Sequence, residues 1–89
     1  MATRQSVDEH LQHCVDAISM AEEEYNKASR QEYKDDEMFT LSLLRLEDAY
    51  NDLEKLAHSC NDQQREQLLR MRMQLQQWQS RMMHIHRWS

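Results

Sequence analysis

The chain has 89 residues, of which 30% are charged, with a net charge of −5 and neither glycine nor proline. A chain of this length forms one domain at most and buries only a modest core. Without glycine it cannot build a Gly-rich phosphate loop or a nucleophile elbow. We therefore predict a single non-enzymatic domain over residues 1–89, with no cofactor and no catalytic residue.

The composition predicts an all-α protein. Strong helix formers such as Ala, Leu, Glu, Gln, Arg and Met dominate, whereas a disordered chain of this polarity would carry Gly and Pro. No apolar run approaches the roughly 20 residues that a membrane span requires, and no apolar signal-peptide segment follows Arg4. We expect a cytoplasmic protein in which Cys14 and Cys60 stay reduced.

The first predicted helix covers about residues 6–29. Ser6-Val7-Asp8-Glu9 has the S-x-x-E spacing of a capping box. Apolar residues then recur in steps of four and three, which is the spacing of a coiled-coil-like seam. The seam residues are Val7, Leu11, Cys14, Ile18, Ala21, Tyr25 and Ala28.

Two further seams predict helices over about residues 36–58 and 62–86. Asp35 or Asp36 can cap the second helix, and Asn61 or Asp62 can cap the third. The phase of the apolar pattern slips between residues 58 and 62, so we predict a turn there. The seam residues are Phe39, Leu43, Leu46, Tyr50, Leu53, Ala57 and Cys60, and then Leu68, Met71, Leu75, Trp78, Met82 and Ile85.

Three amphipathic helices joined by short links predict an up-down-up antiparallel three-helix bundle. If helices two and three were continuous through a stutter, the alternative is a long helical hairpin that dimerises into a four-helix bundle. Residues 62–89 carry five arginines and two carboxylates, whereas residues 1–61 carry six basic and fourteen acidic side chains. This asymmetry favours the closed bundle, with Arg70 level with Glu54 and Arg72 level with Asp52.

Two stretches carry a resemblance to a known family. Residues 1–12 (MATRQSVDEHLQ) and 61–76 (NDQQREQLLRMRMQLQ) resemble a small family of uncharacterised proteins from spore-forming, Bacillus-like bacteria. The resemblance covers nearly the whole chain. It implies a bacterial cytosolic protein with a domain of unknown function, and it supplies no activity and no functional residue.

Histidines offer one alternative function. His10 and His13 are three residues apart near the start of the first helix, and His58 ends the second. An up-down-up bundle brings these ends to one pole, so a metal-responsive protein is one hypothesis. The competing interpretation makes Cys14 and Cys60 small buried residues of the core, and we predict no metal site.

The arginines of the third helix, with Trp78 and Trp88, offer a second alternative, a polyanion-binding or membrane-surface helix. The net charge of −5 works against attraction of nucleic acid. The first two helices also supply enough carboxylates to neutralise these arginines within the bundle. We therefore predict no nucleic-acid partner.

Apolar residues that the seams do not use predict a protein-binding surface. Leu41 and Leu44 point away from their seam, and Met83 lies off its own, as do Leu69 and Met73. The competing interpretation is a wide core stripe. We predict a protein–protein interaction module whose partner is unidentified, a homodimer being one candidate. The predicted contact residues are Met38, Leu41, Leu44, Met83 and Trp88.

Overall fold

The computed structural model describes residues 3–30 and 36–88, with side chains described for 3–30 and 37–84. These residues form three helices and no strand: α1 (Arg4–Ser29), α2 (Asp36–Ala57) and α3 (Asp62–Trp88). The prediction of an all-α, three-helix chain is confirmed, and the predicted helix ends lie within about two residues of those observed. Asp35, one of the two predicted caps of α2, lies outside the described residues.

The helices pack as an up-down-up bundle in which each contacts both others. Along α3, Arg65 contacts Ala57 and the later residue Arg72 contacts the earlier residue Tyr50, so α2 and α3 are antiparallel. The aromatic rings of Tyr25 and Trp78, late in α1 and α3, meet edge to face at 5.6 Å between centroids. Helices α1 and α3 therefore run in the same direction.

The start of α1 differs from the prediction. The helix begins at Arg4 and is capped by Thr3, whose Oγ1 accepts a hydrogen bond from the backbone N–H of Ser6 at 3.0 Å. Thr3 Oγ1 also donates to Ser6 Oγ at 2.8 Å. The predicted capping box at Ser6 is therefore wrong. Threonine is itself a good cap, and capping there adds helical residues before Ser6.

A turn separates α2 from α3. His58, Ser59 and Cys60 each donate their backbone N–H to the carbonyl three residues earlier, at 3.0–3.3 Å. Asn61 and Gln64 then form a reciprocal capping box: Asn61 Oδ1 accepts from the Gln64 N–H at 2.9 Å, and Gln64 Oε1 accepts from the Asn61 N–H at 3.1 Å. The predicted turn is confirmed, and the continuous helix required by the hairpin alternative is not observed.

The core follows the predicted seams. Both cysteines are free and buried, as expected for small core residues. Two polar side chains are also buried: Ser42 donates through its Oγ to the Met38 carbonyl at 2.9 Å, and Glu24 lies 3.5 Å from Lys27 Nζ. The buried apolar residues are Val7, Cys14, Ala17, Ala21, Phe39, Leu46, Ala49, Leu53, Cys60, Leu68, Leu75 and Met82.

Candidate functional site

Four of the five predicted contact residues keep exposed apolar side chains in the folded chain. Met38 and Leu41 are each 38% exposed, Leu44 is 51% exposed and Met83 is 63% exposed. The side chain of the fifth, Trp88, lies outside the described residues. Exposure at these positions is what the proposed contact surface requires, since a wide core stripe would have buried them.

On α2 the exposed leucines lie on the side away from the core. Successive residues of an α-helix are rotated by about 100°, so Leu44 lies roughly 140° around the helix from the buried Phe39. Leu41, Leu44, Glu37 and Thr40 line a shallow, mostly apolar depression of about 530 Å³. This depression faces solvent and belongs to no part of the core.

A second exposed apolar row lies on α3. Leu69 and Met73 are 53% and 61% exposed, and with Gln76, Ser80 and Met83 they form a stripe in steps of four and three residues. None of these five residues is charged. The unused apolar residues were visible in the sequence, but the role of Gln76 and Ser80 in completing a second heptad stripe was missed. A spacing test for apolar residues does not find it, because Gln76 and Ser80 are polar.

Contacts between α2 and α3 bring one end of each exposed row to the same level of the bundle. Gln76 Nε2 donates to Tyr50 Oη at 3.3 Å, so the α3 stripe runs along α2. Leu44 is six residues before Tyr50, and α3 is antiparallel. Leu44 therefore lies level with the residue about six after Gln76, next to Met83. We call Leu41, Leu44, Leu69, Met73 and Met83 the outer apolar surface.

Arg72 joins the two helices beside this surface. Its Nε donates to Tyr50 Oη at 2.8 Å, and its Nη2 lies 3.2 Å from Glu54 Oε1. The guanidinium carbon is also 5.3 Å from the centroid of the Tyr50 ring, a cation–π distance. Arg72 pairs with an acidic residue of α2 as predicted, but with Glu54 instead of Asp52, and these contacts hold α2 and α3 in register.

The other described arginines of α3 are also engaged within the bundle. Arg70 pairs with Glu66 of its own helix at 3.1 Å, so its predicted pairing with α2 is wrong, because the closer i, i+4 carboxylate captures it. Arg65 donates to the Ala57 carbonyl, and Arg81 stacks 5.0 Å from the Trp78 ring. A polyanion-binding face gains no support from this arrangement. Within the described part of the chain, no helix has the length and apolar character to span a membrane.

The histidines are not assembled as a metal centre. The rings of His10 and His13 stack with centroids 6.5 Å apart, and His10 Nε2 lies 3.3 Å from the Ala49 carbonyl oxygen. His58 lies in the turn after α2. Among the residues that the structure describes, no group of three or more His, Cys, Asp or Glu side chains could hold a metal ion. The metal-responsive alternative therefore has no ligand geometry in its favour.

The Cys14 thiol is poorly suited to nucleophilic chemistry. Burial, together with a smaller effect of the Asp52 carboxylate, raises the pKa of Cys14 from 9.0 to about 11. A thiol attacks as its thiolate, so near neutral pH Cys14 is both protonated and inaccessible. Its position fits a packing role.

The chain closely resembles proteins of one family. It is 56% identical over 86 residues to the uncharacterized protein YtzC of Bacillus subtilis (strain 168), and the alignment covers 97% of this chain and 96% of that protein. No solved structure matches the chain. The sequence profile of a family described as a protein of unknown function, DUF2524, matches residues 1–84. The resemblance predicted from the sequence is thereby confirmed, and the chain belongs to the DUF2524 family.

Proposed function

We propose that the protein is a non-enzymatic interaction module that binds a protein through its outer apolar surface. The observation that carries this proposal is that five large apolar side chains, from two adjacent helices, stay 38–63% exposed although the core is complete. Together they expose roughly 500 Å² of apolar surface, with Leu41, Leu44 and Met83 toward one end of the bundle and Leu69 and Met73 toward the other, and large exposed apolar areas are often functional.

The residues of the outer apolar surface are not needed to fill the core. Leu46 and Leu53 of α2 are 0% and 2% exposed, and Leu68 and Leu75 of α3 are 1% and 0% exposed, so each helix already buries a full seam. Leucine side chains left about half-exposed outside these seams add little to the stability of the isolated fold. A partner that covers them removes this apolar area from water, at about 25 cal/mol per Å².

The chemistry of the surface favours a protein over a small molecule. The depression beside Leu41 and Leu44 is shallow, whereas small-molecule sites are concave and enclose most of their ligand. Met73 and Met83 have flexible, polarisable side chains that can repack against a contacting surface. A helix laid against α2 and α3 would meet a row of such residues over its length.

Site-specific photo-cross-linking in cells tests the proposal. A photoreactive phenylalanine analogue replaces Leu44 in one variant and Met83 in another. Val15 of α1, which is 43% exposed and lies outside the outer apolar surface, gives the matched control. We expect a discrete protein adduct from positions 44 and 83, lost when Leu41→Glu is added, and no adduct from position 15. Absence of an adduct from both surface positions would contradict the proposal.

A further inference from the structure

We propose that the partner of the outer apolar surface is a second copy of this chain, joined through α3 packed antiparallel against α3 about a two-fold axis at Gln76. This inference rests on the proposed function and names the partner. A two-fold dimer uses the same patch on both copies, so the patch must be complementary to itself. The stripe on α3 meets that condition.

The first argument is the absence of charge along the stripe. In a chain with 30% charged residues, the five positions Leu69, Met73, Gln76, Ser80 and Met83 carry none. They extend over 15 residues, with about 21 Å of helix between the first and the last. Burying them therefore removes no charged group from water, which is the main cost of covering a polar helix face. A partner surface of the same neutral kind is a second copy of the stripe.

The second argument is the order of large and small residues about Gln76. In an antiparallel pair centred there, Leu69, seven residues before the axis, faces Met83 of the second copy, seven residues after it. Met73, three residues before the axis, lies within one residue of the level of Ser80, four residues after it in the second copy, so a long side chain meets a short one and both can pack without a clash. The two Gln76 amides meet at the axis, where each can donate and accept a hydrogen bond.

Helix α2 adds to the same interface. It is antiparallel to its own α3 and therefore runs parallel to α3 of the second copy. Leu44 lies level with about position 82 of its own α3. In the antiparallel pair, that position faces about position 70 of the second copy. Leu44 thus approaches Leu69 and Met73 of the second copy, whereas Leu41, about 180° around α2 from the α3-facing Tyr50, lies outside this interface.

A parallel pair of α3 helices is disfavoured by charge. It would place Glu66 beside Glu66 and Arg70 beside Arg70 at the edge of the stripe, and like charges at such separations repel. It would also align two helix dipoles in the same direction. The antiparallel pair separates these like charges and opposes the dipoles.

The area is sufficient for a specific dimer. A stable interface buries about 800 Å² on each partner, and Leu44, Leu69, Met73 and Met83 supply roughly 400 Å² of it as apolar core. The polar residues around the stripe supply the remainder as a rim, as in other interfaces. Dimerisation is also a common way for a domain of this size to gain stability.

Light scattering coupled to size exclusion, over a series of protein concentrations, tests the pairing. We expect the mass to approach twice the chain mass of 10.9 kDa as concentration rises. Leu69→Glu and Met83→Glu should each weaken the dimer about 30-fold or more, whereas Val15→Glu should leave it unchanged. A mass of 10.9 kDa at every concentration, or a dimer unaffected by Leu69→Glu, would overturn the inference.

Disulfide trapping tests the direction of pairing. A mixture of the Leu69→Cys and Met83→Cys variants should oxidise to a mixed dimer, and neither variant alone should cross-link efficiently. The native Cys14 and Cys60 are buried and do not compete in the folded protein. Efficient cross-linking of Leu69→Cys with itself would refute the antiparallel arrangement.

The photo-cross-linking experiment separates failure of this inference from failure of the proposed function. An adduct of twice the chain mass supports both. An adduct to a different protein, together with a monomeric chain in light scattering, refutes the dimer and leaves the interaction module standing. A monomer with no adduct at all refutes both.

Discussion

Two leucines of α3, six residues apart, give the sharpest test of the fold and its outer surface together. Leu75 is fully buried, whereas Leu69 is 53% exposed. Truncation of a buried leucine to alanine costs about 2.7–5 kcal/mol, because apolar contact is lost and a cavity is left behind. The half-exposed Leu69 leaves no cavity and loses only part of its burial, about 1 kcal/mol or less.

These magnitudes are large relative to the whole stability. At roughly 0.05–0.15 kcal/mol per residue, a chain of this length unfolds with a free energy of about 4–13 kcal/mol. Leu75→Ala should therefore remove a large share of the stability at every protein concentration. Leu69→Ala should be nearly neutral at about 1 µM, and its cost should grow at higher concentration, where dimerisation of the native state adds stability by mass action.

Urea denaturation followed by circular dichroism, at one low and one high protein concentration, measures both effects. Met73→Ala is a second surface control and should behave like Leu69→Ala. If Leu69→Ala cost as much as Leu75→Ala in dilute solution, the outer stripe would lie inside the fold and the assignment of inner and outer faces on α3 would be wrong.

Further predictions address the thiol, a helix cap and an ion pair. The pKa of the Cys14 thiol is about 11 in the folded protein and 9.0 as a model thiol. The protonated thiol therefore contributes fully to the free energy of unfolding below pH 9, and this contribution falls by up to about 3 kcal/mol as the pH rises to 11. The difference in unfolding free energy between wild type and Cys14→Ala should follow this curve, and a flat difference would contradict it. Asn61→Ala should cost about 1 kcal/mol in a thermal melt through loss of the α3 cap; an unchanged midpoint would argue against the cap. A double-mutant cycle on Arg72 and Glu54, both partly exposed, should give a coupling of about 1 kcal/mol or less that weakens with salt, and a coupling unaffected by salt would indicate that charge is not its source.

The sequence predicts the fold well because the apolar spacing is regular and no glycine or proline interrupts it. Seam residues such as Leu46, Leu53 and Leu75 are buried as expected. The turn at residues 58–61 was predictable for two reasons: the seams change phase there, and Asn61 is a strong cap. Apolar spacing and helix capping each depend on residues close together in the sequence, so tertiary packing does not change what they predict.

Other features depended on which of two alternative caps or ion-pair partners is used, and residue spacing does not decide between them. The chain contains two good caps at its start, Thr3 and Ser6, and the helix extends to the earlier one. Arg70 had carboxylates within reach on its own helix and on α2, and the nearer Glu66 captured it. Burial of Ser42 was equally hidden, because a hydroxyl that donates to its own helix carbonyl needs no partner elsewhere.

The candidate surface was predicted only in part, for a related reason. Large apolar side chains outside a seam are conspicuous, so Leu41, Leu44 and Met83 stood out as residues. Gln76 and Ser80 did not, because polar residues on a helix look like ordinary solvated positions. Their meaning becomes visible only when α2 and α3 are in register and the uncharged positions are seen to form one line.

The two seams of α3 couple the fold to the proposed interface. Leu68, Leu75 and Met82 hold the helix to the bundle, and in the proposed dimer the stripe through Gln76 holds it to a second copy. Both seams exist only when α3 is helical, so folding of the chain and pairing of two copies depend on the same helix. At a protein concentration 100 times the dissociation constant of the dimer, self-association would add about 2.7 kcal/mol to the stability of the native state. This is comparable to the cost of truncating a buried leucine to alanine. A chain built this way is most stable when a second copy is bound. The concentration of the chain in the cell would therefore regulate both its dimerisation and its resistance to unfolding.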